Sequence, residues 1–189
     1  MAKVHWDDGS WLHVFQPKIG PALLTRVHTS RKLIEDEFHT LQSLDHPSIP
    51  KADQLILVET KEKTTAEIVY KLVAKQTLRQ WLNSCQAPPY SDTRLAMAKR
   101  VCVDALTMLN EIDEEYTNFD ANRIILHDPV VFLGWEDCEG PPDALVKVLT
   151  EIITNSTEYH PQIEKQLKDL TEERDLDKAS RQMSRLKLS

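Results

Sequence analysis

The feature that most narrows the fold is a change of period along the chain. Up to residue 73 the apolar residues recur mainly at every second position around one helical insertion, and beyond it they recur at helical spacing. A chain patterned this way must pack a sheet made by its first part against helices made by its second. From Lys3 to Val27 apolar and polar residues alternate, and Asp7-Asp8-Gly9-Ser10 supplies a turn cluster that joins two antiparallel strands. Pro17, Gly20 and Pro21 interrupt the alternation before a third strand, Ala22-Leu23-Leu24-Thr25-Arg26-Val27. Thr29 or Ser30 can cap a helix whose Ile34, Phe38, Leu41 and Leu44 share a face, and His46-Pro47 and Pro50 end it. Gln54 to Thr60 and Ala66 to Val73, separated by Lys61-Glu62-Lys63-Thr64-Thr65, read as a second hairpin.

The second part begins with a short helix around Leu78 to Leu82, followed by a loop through Pro88-Pro89. A long helix capped near Ser91 then places Leu95, Ala98, Cys102, Ala105, Leu109 and Ile112 on one face, so it is expected to lie against the core. Arg123 to Leu126 and Val130 to Leu133 flank His127-Asp128-Pro129 as a small hairpin, and Asp143 to Thr154 carries Leu145, Val148, Leu149 and Ile152 on one face. From Pro161 onward the apolar stripe narrows and slips in phase while charge becomes dense. The expected organisation is α+β, with a sheet-containing lobe over residues 1–73, a reduced helical lobe over 74–160 and a C-terminal helical extension over 161–189.

Composition removes several function classes. A formal charge of −7 and a pI near 5.5 oppose a surface that neutralises nucleic-acid phosphates, so nucleic acid is not expected as a partner. Cys85, Cys102 and Cys138 are far apart and lack histidine neighbours at ligand spacing, which indicates reduced thiols rather than a disulfide framework or a metal site. No stretch approaches the roughly 20 apolar residues that span a bilayer, and the start lacks a signal-peptide core. A soluble cytoplasmic or nuclear protein with no membrane partner is the expectation.

The order of these segments resembles that of a eukaryotic protein kinase over residues 1–155. Glu37-Phe38-His39-Thr40-Leu41-Gln42-Ser43-Leu44-Asp45-His46-Pro47 is similar to the end of the kinase helix C and its following turn. Ile68-Val69-Tyr70-Lys71-Leu72-Val73 with Thr77-Leu78-Arg79-Gln80-Trp81-Leu82 resembles the fifth strand, hinge and helix D, and Ala105-Leu106-Thr107-Met108-Leu109-Asn110 the end of helix E. The resemblance implies a two-lobed fold with a five-stranded antiparallel N-lobe, one N-lobe helix and a shortened helical C-lobe. It also implies that most of the family's peptide-substrate region is absent or rebuilt.

Kinase chemistry rests on positioned charge, so each part of it can be sought here. In the resemblance the first hairpin has only Gly9 at its turn, and Asp7-Asp8 stands where backbone N–H groups would cradle phosphates. The third-strand lysine is replaced by Arg26, which can pair with Glu37 as a structural ion pair. Tyr116 to Leu126 aligns with H-R-D-L-K-P-x-N-I-L-L, placing Asn118 at the catalytic aspartate and Arg123 at the metal-binding asparagine. An amide cannot take up a proton at neutral pH, and a fixed cation opposes magnesium. Gly134-Trp135-Glu136-Asp137 stands at D-F-G, with Trp135 in the metal-ligand place. These five departures imply a pseudokinase without cofactor, metal site or nucleotide binding, acting as a protein-interaction or scaffold module. A register shift would bring Asp120 or Asp137 to the acidic positions, which keeps a small atypical ATP-dependent kinase as one alternative; a non-kinase α+β adaptor is the other. Candidate partner-binding residues are Trp11 and Phe15 on the first hairpin and Leu176, Met183 and Leu186 on the C-terminal stripe.

Overall fold

A computed structural model describes residues 3–59, 64–112, 115–136, 140–183 and 186. Its N-terminal lobe is an antiparallel sheet of β1 (Val4–His5), β2 (Trp11–Phe15), β3 (Leu23–His28), β4 (Ala52–Glu59) and β5 (Thr64–Val73), in the spatial order β1-β2-β3-β5-β4. The turn between β1 and β2 reverses through Gly9 at φ +81°, a left-handed conformation that costs glycine no steric strain. β3 is central and Leu24 through His28 are all buried, so Arg26 enters the interior on a strand with no face turned to water.

Between β3 and β4 runs α1 (Arg31–Ser43), which crosses the sheet with Ile34, Glu37 and Leu41 buried. These positions recur every three to four residues, so Glu37 belongs to the same face as its apolar neighbours. A carboxylate carried into the interior this way requires a cation.

The helical lobe begins at α2 (Leu78–Ser84), started by a capping box in which the Thr77 hydroxyl accepts from the Gln80 amide at 3.1 Å and the Gln80 side chain accepts from the Thr77 amide at 3.0 Å. Next, α3 (Asp92–Glu111) buries Ala98, Val101, Cys102, Ala105, Leu106 and Met108, a wider face than the one read from spacing. Arg94 on α3 is fully buried without a carboxylate and is satisfied by carbonyls instead, donating to Ala87 at 2.7 Å, Ile152 at 3.0 Å and Cys85 at 3.3 Å, and to the Asn155 side-chain oxygen at 2.8 Å. It thereby ties the loop after α2 to the end of α4 (Ala144–Thr154). The small hairpin is present as β6 (Ile124–Ile125) and β7 (Val131–Phe132). It joins the lobes through the Phe132 amide on the Ser48 carbonyl at 2.9 Å and holds the connector before α2 through the Leu126 amide on the Gln76 carbonyl at 3.1 Å.

The C-terminal expectation is corrected. α5 (Pro161–Glu173) packs on α4, and α6 (Leu176–Met183) packs on α3, so both helices are part of the helical lobe. Met183 is fully buried, Leu186 is buried and Leu176 is partly buried against the core, so these three residues are spent inside the protein and offer no partner surface. The slip in phase has a simple cause: the chain turns at Arg174 (φ +50°) and a second helix starts. Each helix is narrow-striped because one line of residues, Ile163, Leu167 and Leu170 on the first and Ala179 and Met183 on the second, meets the core.

If α6 is integral, Met183→Ala lowers the unfolding free energy by about 2–4 kcal/mol, as for other buried large-to-small changes. Urea denaturation measures this, and a cost below about 0.5 kcal/mol, the size of a surface substitution, would mark α6 as detached.

Candidate functional site

Arg26 is the centre of the cleft between the lobes. Its guanidinium is fully buried and pairs with Glu37 from α1, with Glu136 after β7 at 2.6 Å, and with Asp8 in the turn between β1 and β2 at 2.8 Å. Three carboxylates from three segments therefore converge on one cation. Arg123, in the loop before β6, joins the same network through Glu136 at 2.9 Å and lies 3.8 Å from Asp8. The Trp6 indole lies against both guanidinium groups, its ring centroid 4.5 Å from Arg26 and 4.6 Å from Arg123. Such stacking places both cations over the negative face of the ring.

Each partner is itself held. Asp8 accepts from the Ser10 amide at 2.8 Å and the Ser10 hydroxyl at 2.5 Å, which closes the turn and aims its second oxygen at Arg26. His28 Nδ1 accepts from the Ser30 amide at 2.6 Å, so the ring carries its proton on Nε2 and donates it to the Asp8 carbonyl at 2.9 Å. Glu37 accepts from the Tyr70 hydroxyl at 3.2 Å and the Trp135 amide at 3.3 Å. Gly134 leaves room for this arrangement: its φ is +89°, and a Cβ there would come within 2.5 Å of Arg123 Nη1.

The electrostatics follow from burial and pairing. Burial alone would raise the Glu136 carboxyl, but Arg26 and Arg123 overcome it and hold Glu136 below its ordinary 4.5. Asp8 behaves alike: burial opposes the charge, and the two Ser10 hydrogen bonds together with Arg26 and Arg123 bring it below 3.8. Burial pushes the Tyr70 and Tyr116 phenols far up, so both remain hydrogen-bond donors.

The residues singled out in the sequence fall into distinct places. Asn118 donates from its side-chain amide to the Gly134 carbonyl at 2.8 Å, bracing the loop before β6 against the segment after β7. Trp135 is buried, donates from its indole to the Phe132 carbonyl at 2.8 Å and stacks on Tyr116 at 4.5 Å, so it serves the core and faces no ligand. The acidic group that reaches the cleft is the next residue, Glu136; Asp137 lies outside the described residues. Asp120 accepts from the Asn122 amide at 2.7 Å as a turn-forming side chain. Trp11 and Phe15 are half-buried on the outer hairpin, with the Lys3 ammonium 3.9 Å from the Trp11 ring centroid, and they do not join the cleft. Sequence reasoning missed Trp6, Glu136 and the pairing role of Asp8. The signal for Asp8 was present, since an acidic turn facing a cationic strand must attract it as well as repel phosphate.

These residues do not fit a magnesium-bound triphosphate. Arg26 and Arg123 are enclosed by carboxylates, Asp8 stands where phosphate oxygens would approach Arg26, and the carboxylate following β7 is bound to guanidinium groups.

No protein-family model matches the chain, and no curated protein matches it by sequence. Among solved structures, the apo GRMZM2G135359 pseudokinase is similar with a TM-score of 0.55 and 16% identity, over 98% of this chain and 92% of that one. The PAN3 pseudokinase of Neurospora crassa is similar with a TM-score of 0.55 and 14% identity, over 87% of this chain and 48% of its own. The fold is protein-kinase-like, with a five-stranded N-lobe and a reduced helical C-lobe.

The lowered pKa values of Glu136 and Asp8 mean that unfolded chains take up protons at a higher pH than folded ones. Their stabilisation is complete above about pH 4.5 and is lost as pH falls through the folded values. Glu136→Gln is expected to lower stability at neutral pH and to flatten the acid limb of a urea-melt series taken downward from pH 6. A variant with an acid limb as steep as the original would show that Glu136 is not held below its ordinary range.

Proposed function

We propose that this chain is a pseudokinase: a kinase-like domain that transfers no phosphate and acts by binding another protein in an intracellular assembly. The observation that carries the reading is the enclosure of Arg26 by Glu37, Glu136 and Asp8. In an active kinase the equivalent cation pairs with the carboxylate of the N-lobe helix and is otherwise left open to the phosphates of the nucleotide, while a separate acidic residue after the small hairpin holds metal; the partners that oppose this here are Asp8 and Glu136. Here every one of those charges has an intramolecular partner, and the base role has passed to Asn118, whose amide cannot accept a proton.

The pseudokinase neighbours support the reading through the fold they share with this chain. Among the described residues no helix is long and apolar enough to cross a membrane. The Cys102 thiol is buried and burial pushes its pKa up to about 12, which suits a structural rather than a reactive cysteine.

A ligand that binds only the native state raises its melting temperature, so ATP with magnesium in large excess is expected to leave the thermal transition unmoved. A rise of several degrees that disappears in Arg26→Met would mean that the cleft takes nucleotide, and would sink the proposal.

A further inference from the structure

In front of the cleft, between the turn that carries Asp8, the loop before β6 and α4, the surface opens into a groove of about 770 Å³. Its floor includes Trp6, Phe119 and Val148, and seven carboxylates and three cations line it. All three cations are engaged within the protein. Arg79 is held by Glu151 in a two-pronged pair, Arg123 by Glu136 at 2.9 Å, and Lys147 by Asp143 at 3.0 Å. Asp120 contributes to the field at Arg79, where hydrogen bonding to Glu151 is the largest influence.

Four of the carboxylates, Asp7, Asp120, Glu158 and Glu164, make no ion pair among the described residues; Glu164 accepts from the His160 amide at 3.0 Å, and Asp7 and Glu158 are exposed. Tyr159, also on the rim, is 75% exposed, an aromatic ring presented to solvent beside Glu158. A concave, largely apolar floor with uncompensated negative charge at its rim is complementary to a segment that alternates cations with apolar side chains. The cations would meet Asp7, Asp120 and Glu158, an arginine could stack on Tyr159, and the apolar residues would cover Phe119 and Val148. We propose that this groove is the partner-binding surface, and that its occupant is a basic, apolar-spaced segment of another protein. The proposal rests on the reading of the chain as an interaction module and supplies the chemistry of its partner.

The test uses the full chain and a fluorescein-labelled peptide of alternating arginine and leucine, followed by anisotropy at low and high salt. Binding is expected to weaken steeply with salt, and to fall about tenfold or more in the triple variant Asp7→Asn/Asp120→Asn/Glu158→Gln. The amide oxygen that this variant introduces at position 120 can still accept from the Asn122 backbone, so the turn is kept. The control Asp36→Asn/Asp169→Asn removes two exposed charges from α1 and α5, away from the groove, and is expected to bind as the original does. Equal losses in both variants would mean that the peptide responds to net charge alone, and the groove assignment would fail. It would fail equally if the triple variant, with an unchanged melting temperature, bound as tightly as the original, or if a glutamate-leucine peptide bound as well as the arginine one. Either failure alongside an unmoved ATP transition would remove the groove and leave the inactive-domain reading standing; an ATP-induced rise would remove that reading instead.

Discussion

A guanidinium group with no access to water is the constraint around which this protein is arranged. β3 carries Arg26 into the interior, and the desolvation of a lone cation there would cost several kcal/mol or more. The protein answers with Glu37, Glu136 and Asp8, drawn from α1, from the segment after β7 and from the turn between β1 and β2. Because these come from both lobes, compensating one charge also fixes the lobes relative to each other. The network is therefore a structural device first.

The same network explains the closed cleft. A nucleotide would have to displace Asp8 from Arg26 and leave that aspartate half-buried and unpaired, while Trp6 would have to leave two cations. Both changes oppose binding, since a broken buried pair costs more than the intact pair contributes. The hairpin turn thus packs into the cleft: an indole lies against both guanidinium groups and the Asp8 carboxylate pairs with Arg26.

Much of the fold was legible because it rests on period and punctuation. The five strands, α1, α3 and the small hairpin follow from alternation, helical spacing and prolines that act locally, whereas Ser30 and Ser91 start their helices without a side-chain cap hydrogen bond. Glu37 was legible as well, since its spacing from Ile34 and Leu41 places it on a buried face. What escaped was long-range. Glu136 is 110 positions from Arg26 in the sequence, and nothing local distinguishes it from Asp137. The role of Trp6 was hidden too, because only the folded chain brings two arginines to its ring. The fate of Leu176, Met183 and Leu186 was hidden for a related reason: a narrow stripe is what a solvated helix and a helix packed along one edge have in common. The turn at Arg174 that separates α5 from α6 decides between them.

The central claim is that Arg26 and Glu136 stabilise each other as a buried pair across the cleft. A double-mutant cycle with Arg26→Met, Glu136→Gln and the combined variant, read by urea denaturation, isolates that interaction from the cost of each change alone. A favourable coupling on the order of 2 kcal/mol or more is expected, within the range of roughly 0.5–3 kcal/mol found for residues in one network. Additive effects, with coupling near zero, would contradict it.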